Sequence, residues 1–153
     1  RNIKLIIKYR QIPEFSFKSL KTLLGTLPEN VSLISDGQFG DFLASSHLLM
    51  SFSSTTIEEA LINDTPVLLY GGKGRYSHIP TEPFKLGKTD DILTPVTFVD
   101  NRESLADYFK VLDKNFDKFI DHQFDFSRYR LKDSMGVLDW LDQKSIFNEE
   151  RSI

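Results

Sequence analysis

Four consecutive hydroxyl side chains, Ser53, Ser54, Thr55 and Thr56, end an apolar run and open a helical stretch, with Glu58 and Glu59 one turn further on. Residues of these types at this spacing suit a bound anion. First-turn N–H groups of a helix have no internal partner, and the macrodipole places about half a positive charge there, which favours phosphate or diphosphate. Ser and Thr are also favoured helix caps, so capping alone would account for two of the four. Glu59 has two readings as well. It either favours the positive helix start from the surface or, as an acceptor-only carboxylate, takes two hydroxyls of a ribose diol. Glu58 is read as its solvated neighbour.

The segment that must position these groups, LLMSFSSTTIEEALINDTPVLLY from Leu48 to Tyr70, reads as strand, turn, helix and strand. Leu48 to Phe52 and Val67 to Tyr70 are continuous apolar runs, the pattern of strands covered on both sheet faces. Ile57, Ala60 and Leu61 give the helix one apolar stripe, closed by Asn63-Asp64 before Pro66. Upstream, Ile3 to Tyr9 predicts a strand and Phe17 to Leu24 a helix; Val31 to Ser35 predicts a second strand and Asp41 to Ser46 a turn or two of helix. Downstream, Gly71 to Thr94 reads as one long loop, a candidate lid. Val96 to Val99 predicts a strand. A helix capped by Asp100 or Asn101 follows to about Asn115, with Leu105, Tyr108, Phe109 and Leu112 on one side. A further helix ends near His122, and Ser134 to Lys144 reads as the last.

Strands alternating with helices predict an α/β fold, a three-layer Rossmann-like domain with a parallel sheet, helices on both faces and C-terminal helices packing at the end. In such folds ligands sit beyond the carboxyl ends of the strands, where Arg10, Ser35 to Gly40, Ser53 to Thr56 and Gly71 to Arg75 fall. Within the last of these, Lys73 and Arg75 could approach phosphate, and His78 could contact a sugar or act as an acid; a solvated loop is the plain alternative.

The 153 residues, 40% hydrophobic and 27% charged, fit one domain spanning 1–153. Net charge of −3 and pI near 5.6 argue against a dedicated nucleic-acid binder. No cysteine is present, which excludes disulfides and thiolate chemistry. The three His, scattered without acidic companions, make no metal site, so none is expected; His47 is read as a core-edge residue and His122 as a surface one. GGKGRYS, Gly71 to Ser77, lacks the ending of a phosphate loop, and no nucleophile-elbow pattern supports a hydrolase triad. The chain opens at Arg1 directly into a strand and reads as a piece of a longer protein. Thirteen Phe, six of them after Phe98, would seat the terminal helices on the core or on another domain.

SFSSTTIEEALINDTPVLLY resembles the nucleotide-binding segment in the carboxyl-terminal domain of GT-B glycosyltransferases and the related nucleotide-sugar 2-epimerases. Their pattern is small residues, then Glu-Ala, then a turn and Pro-Val. The resemblance implies that Ser53, Ser54 and Thr55 hold the donor diphosphate, with Thr56 beside them, and that Glu59 binds the ribose. IIKYRQIP resembles the opening strand and exit loop of capsule and surface-polysaccharide transferases, which would set Lys8 and Arg10 toward the donor phosphates, Arg10 standing where many relatives carry His. By the same likeness Ser35-Asp36-Gly37 would lie near the nucleobase, although an ordinary Asp-Gly turn reads equally well. Departures exist. No pair of Glu eight positions apart surrounds the segment, since Met50 and Ser51 precede Glu58 and Glu59 at that distance, and Asp64-Thr65 replaces the usual Gly before Pro-Val. No Asp-x-Asp triplet occurs, so the likeness implies a metal-independent enzyme without cofactor, using a nucleotide-diphosphate sugar as donor substrate. It implies a donor-binding domain of surface or capsular polysaccharide biosynthesis. The partner would be an N-terminal Rossmann-like domain, the site cytoplasmic or at the inner face of the membrane, and peripheral membrane association would come through the full-length protein. No catalytic base is assigned within the chain, and the fragment alone is expected to be inactive. The alternatives are an epimerase-like domain and a non-catalytic Rossmann-like interaction module.

Overall fold

The structure, a computed structural model, describes residues 3–12, 16–51, 55–71, 79 and 81–129. The final helix expected over 134–144 lies outside them. The chain forms β1 (Leu5–Lys8), α1 (Phe17–Leu24), β2 (Val31–Ile34), α2 (Phe39–Ala44), β3 (Leu49–Ser51) and α3 (Thr56–Ile62), then β4 (Val67–Tyr70), β5 (Glu82–Pro83), a 3-10 turn at Thr89–Leu93, β6 (Val96–Val99), α4 (Arg102–Lys114) and α5 (Phe116–Ile120).

Local chemistry explains most of these bounds. Ser16 opens α1: its hydroxyl accepts the Ser19 N–H while the Ser19 hydroxyl accepts the Ser16 N–H, a reciprocal box that satisfies two orphan donors. Gly25 ends that helix at φ +70, donating its N–H to the Lys21 carbonyl. Asn101 opens α4 by accepting the Ser104 N–H at 2.8 Å. Asp64 leaves α3 at φ +55, a left-handed conformation that Asp tolerates better than most side chains. The turn usually made by Gly before Pro-Val is thus made here by Asp64.

All strand pairings are parallel, as the alternating elements predict, but the strands divide between two sheets. One holds β1 and β2, with Leu5 opposite Val31; the other runs in the order β3-β4-β6-β5, with Leu68 opposite Met50 and Thr97. β3 offers three paired residues, all to β4. Alternation along β4 sets the packing of the larger sheet. Val67 and Leu69 join Leu43 of α2 and Ile57, Ala60 and Leu61 of α3 on one face. Leu68 joins Ile92, Val99, Tyr108, Leu112 and Phe119 on the other, beneath α4 and α5. Helical cover on both faces is why VLLY can be apolar at every position.

Three expectations are corrected. The helix expected at Asp41 begins two residues earlier, at Phe39, because Gly37 at φ +78 and the extended Gln38 complete the turn sooner. The stretch 71–94 is not a single loop. It contributes the edge strand β5, whose Pro83 suits an edge because it needs no ladder donor, and the 3-10 turn, where the Thr94 and Thr97 hydroxyls both donate to the Asp91 carbonyl. Phe109 stays exposed although its ring meets Tyr108 edge-on at 5.7 Å between centroids, so it lies at the margin of the α4 stripe and not within the core.

Tyr108 is fully enclosed, edge-on to Phe84, with ring centroids 5.5 Å apart. Burial without a compensating charge raises its phenol pKa above the ordinary range. A raised native pKa means that the unfolded chain ionises first, so stability is complete below about pH 10 and falls above it by up to about 1.4 kcal/mol per pH unit. Urea unfolding between about pH 9 and 11 should show this slope in the parent chain and a shallower one in Tyr108→Phe; equal slopes would contradict the burial of the hydroxyl.

Candidate functional site

Expected site residues stand at the ends of β1 and β2 and at the start of α3. Lys8, the last residue of β1, donates from Nζ to the Ser35 carbonyl at 3.2 Å and the Asp36 carbonyl at 2.7 Å. Its ammonium lies 5.4 Å from the centroid of the Phe42 ring. Two of its three donors therefore hold the loop that leaves β2, and the cation sits at the mouth of that loop. Lys8 is a clamp on Ser35-Asp36 in this arrangement. Arg10, two residues beyond β1, is exposed and makes no ion pair among the described residues.

The clamped loop turns at Gly37. A Cβ built there would meet the Phe42 ring at 3.0 Å, and the positive φ adds backbone strain for any other residue, so both conditions select glycine. Phe42 is thus the floor of the Asp36-Gly37 turn and a partner of Lys8. Its signal in the sequence was an aromatic residue five positions after a turn glycine, which by itself reads as core.

Across from this loop lies α3. Burial of Ile57, Ala60 and Leu61 presses one stripe of the helix onto the sheet and turns Glu58 and Glu59 outward, where both are exposed. The Glu59 carboxylate reaches the first turn of α2: a Cβ built on Gly40 would lie 3.9 Å from Glu59 Oε1. The β2 exit loop and the carboxylate that follows β3 therefore share one small space. A side chain longer than a methyl group at Gly40 would intrude on it.

Thr55 precedes α3 with αR geometry and makes no side-chain capping bond, unlike Ser16 and Asn101 at α1 and α4. The capping explanation of the hydroxyl run is therefore not realised at Thr55. Thr56 is half-buried at the first helical position. Ser53 and Ser54, together with Lys73, Arg75 and His78, lie outside the described residues. Beyond β4, Gly71 donates its N–H to the Val99 carbonyl at 3.2 Å.

The remaining histidines exchange their expected settings. His47 is exposed, with its ring edge toward Phe116, while His122 is half-buried against Phe124 at 4.7 Å between centroids. No group of three or more His, Asp or Glu among the described residues could hold a metal ion. No helix among them is long and apolar enough to cross a membrane.

The assembled groups can do two things chemically. An exposed carboxylate beside a glycine can accept paired hydroxyls, and cations at the ends of β1 can offset a neighbouring anion. Lys8 meets Phe42 and Glu59 meets Gly40, two separate contacts made on α2, while Arg10 stands further along the β1 exit. Searches for similar proteins found no matching family model, curated protein or solved structure.

Proposed function

We propose that this chain is the donor-binding half of a metal-independent GT-B glycosyltransferase acting in surface or capsular polysaccharide biosynthesis. The approach of Glu59 Oε1 to Gly40 supports the reading most directly, because it sets a diol-binding carboxylate against the side-chain-free first turn of α2. In this reading the ribose hydroxyls donate to Glu59, and the base rests by the Asp36-Gly37 turn that Lys8 clamps. The diphosphate would meet Ser53, Ser54, Thr55 and Thr56, with Arg10 neutralising charge, and Lys73, Arg75 and His78, which follow β4 in the chain, would contact phosphate or sugar. The two parallel sheets then belong to one three-layer Rossmann-like domain, and the acceptor and catalytic base are supplied by a second domain.

Transfer would displace the nucleotide diphosphate from the anomeric carbon, and this chain's task is to hold the leaving group. Preorganised N–H dipoles and cations at a developing diphosphate charge are an established way to lower such a barrier without a metal. Amide chemical shifts give the test. Uridine or cytidine diphosphate should perturb Ser35–Gly40 and Thr55–Glu59 together. A flat response at millimolar nucleotide would reject the reading in favour of an interaction module.

A further inference from the structure

We infer that the basic, apolar flank of α1 is a docking surface for an anionic lipid bilayer. Charge is strongly polarised along the chain. Residues 1–24 contain Arg1, Lys4, Lys8, Arg10, Lys18 and Lys21 against Glu14 alone, net +5, which leaves the remaining 129 residues at −8 within an overall −3. Apolar exposure is polarised the same way. Of the eleven exposed large hydrophobic side chains among the described residues, seven fall within residues 3–24: Ile3, Leu5, Ile6, Ile12, Phe17, Leu23 and Leu24.

The two properties meet on α1. At about 100° per residue, Phe17, Lys21 and Leu24 share one stripe of the helix, with Lys18 beside them and Leu20 on the core side. Only Leu20 is buried; Phe17 and Leu24 stay 50% and 43% exposed. Lys18 and Lys21 are exposed and make no ion pair among the described residues. The reciprocal Ser16–Ser19 cap keeps the stripe helical without help from a partner.

Apolar side chains interleaved with lysines on a short helix suit the boundary of an anionic leaflet, where rings and aliphatic groups enter and ammonium groups meet headgroup phosphates. The acidic remainder of the chain favours a definite orientation, with α1 toward the membrane and the −8 body away from it. The α1 residues of this surface are separate from the proposed nucleotide site, to which Lys8 and Arg10 belong, and its test needs no nucleotide.

The experiment is co-sedimentation of the 153-residue chain with phosphatidylcholine vesicles, with and without about one third phosphatidylglycerol. Binding should require phosphatidylglycerol and disappear at high salt. K18Q/K21Q should lose about fivefold per lysine, and so about twenty-fivefold, while keeping its circular dichroism spectrum. F17S/L24S should weaken binding that persists for a variant altered at an exposed apolar residue elsewhere, such as Ile62→Ser. Failure to bind phosphatidylglycerol vesicles at low salt, equal binding to neutral vesicles, or unchanged binding by K18Q/K21Q would each overturn the inference, the first of them leaving the patch to an acidic protein face.

Discussion

Leu68→Ala should lower the unfolding free energy by about 3 to 5 kcal/mol, the upper part of the range for deleting a buried leucine side chain. Leu68 is wholly buried in β4, the strand hydrogen-bonded to both β3 and β6, and it points into the cluster of Ile92, Val99, Tyr108, Leu112 and Phe119. Two effects add: the lost transfer of the isobutyl group out of water and the cavity left behind. The cavity term should be large because the wall on one side is a strand fixed by two ladders, and those on the other are rings held edge to edge. A domain of this size has about 5 to 15 kcal/mol in all, so the variant would lose a large fraction of its stability. Leu23→Ala, at a residue 75% exposed, provides the contrast and should shift stability by no more than about 0.5 kcal/mol. Denaturant unfolding of the two variants measures the difference. A loss below about 1.5 kcal/mol for Leu68→Ala would contradict the two-faced packing of the larger sheet.

That packing was legible in the chain because VLLY has no polar face to spare, and because Ile57, Ala60 and Leu61 repeat at helical spacing. The start of α4 was legible to within one residue, as Asp100 or Asn101, while the Ser16–Ser19 box of α1 was not, because two serines three apart carry no apolar or acidic marker. What else escaped was decided by tertiary chemistry. Nothing in Ile3 to Tyr9 tells whether β1 will pair only with β2, because strand partnership depends on edges supplied by distant residues. The edge strand at Glu82–Pro83 is two residues long, too short for a period to emerge, and it exists only because β6 offers it a ladder.

The candidate site shows the same division. Glu59 could be singled out as the Glu before Ala in the resemblance, although its residue type and place fit a surface carboxylate at a helix start equally well, and the Asp-Gly turn at 36–37 could be placed from residue type alone. Lys8 was legible as a cation at a strand end. Its engagement with the Ser35 and Asp36 carbonyls was not, since that geometry joins residues 27 and 28 positions apart. The apposition of Gly40 and Glu59 is likewise a product of α2 and α3 packing through Leu43, Ile57 and Ala60 into one cluster. A glycine in the first turn of a helix has no spacing signature that would announce the carboxylate opposite.

The central claim is that Glu59 holds a ribose, and calorimetric titration of Glu59→Ala against the parent chain tests it most directly. A hydrogen bond to a charged group contributes about 1.5 to 3 kcal/mol, and exposure of the carboxylate keeps the expected value toward the lower end even with two hydroxyls engaged. Glu59→Ala should therefore bind uridine or cytidine diphosphate about twentyfold more weakly, while its affinity for inorganic pyrophosphate, which has no diol, stays within about twofold. The exposed position makes loss of fold an unconvincing cause of any change, and an unaltered unfolding midpoint would establish that independently. Selective loss of nucleotide affinity is the result this account predicts; equal loss for nucleotide and pyrophosphate, or no loss for either, would contradict it.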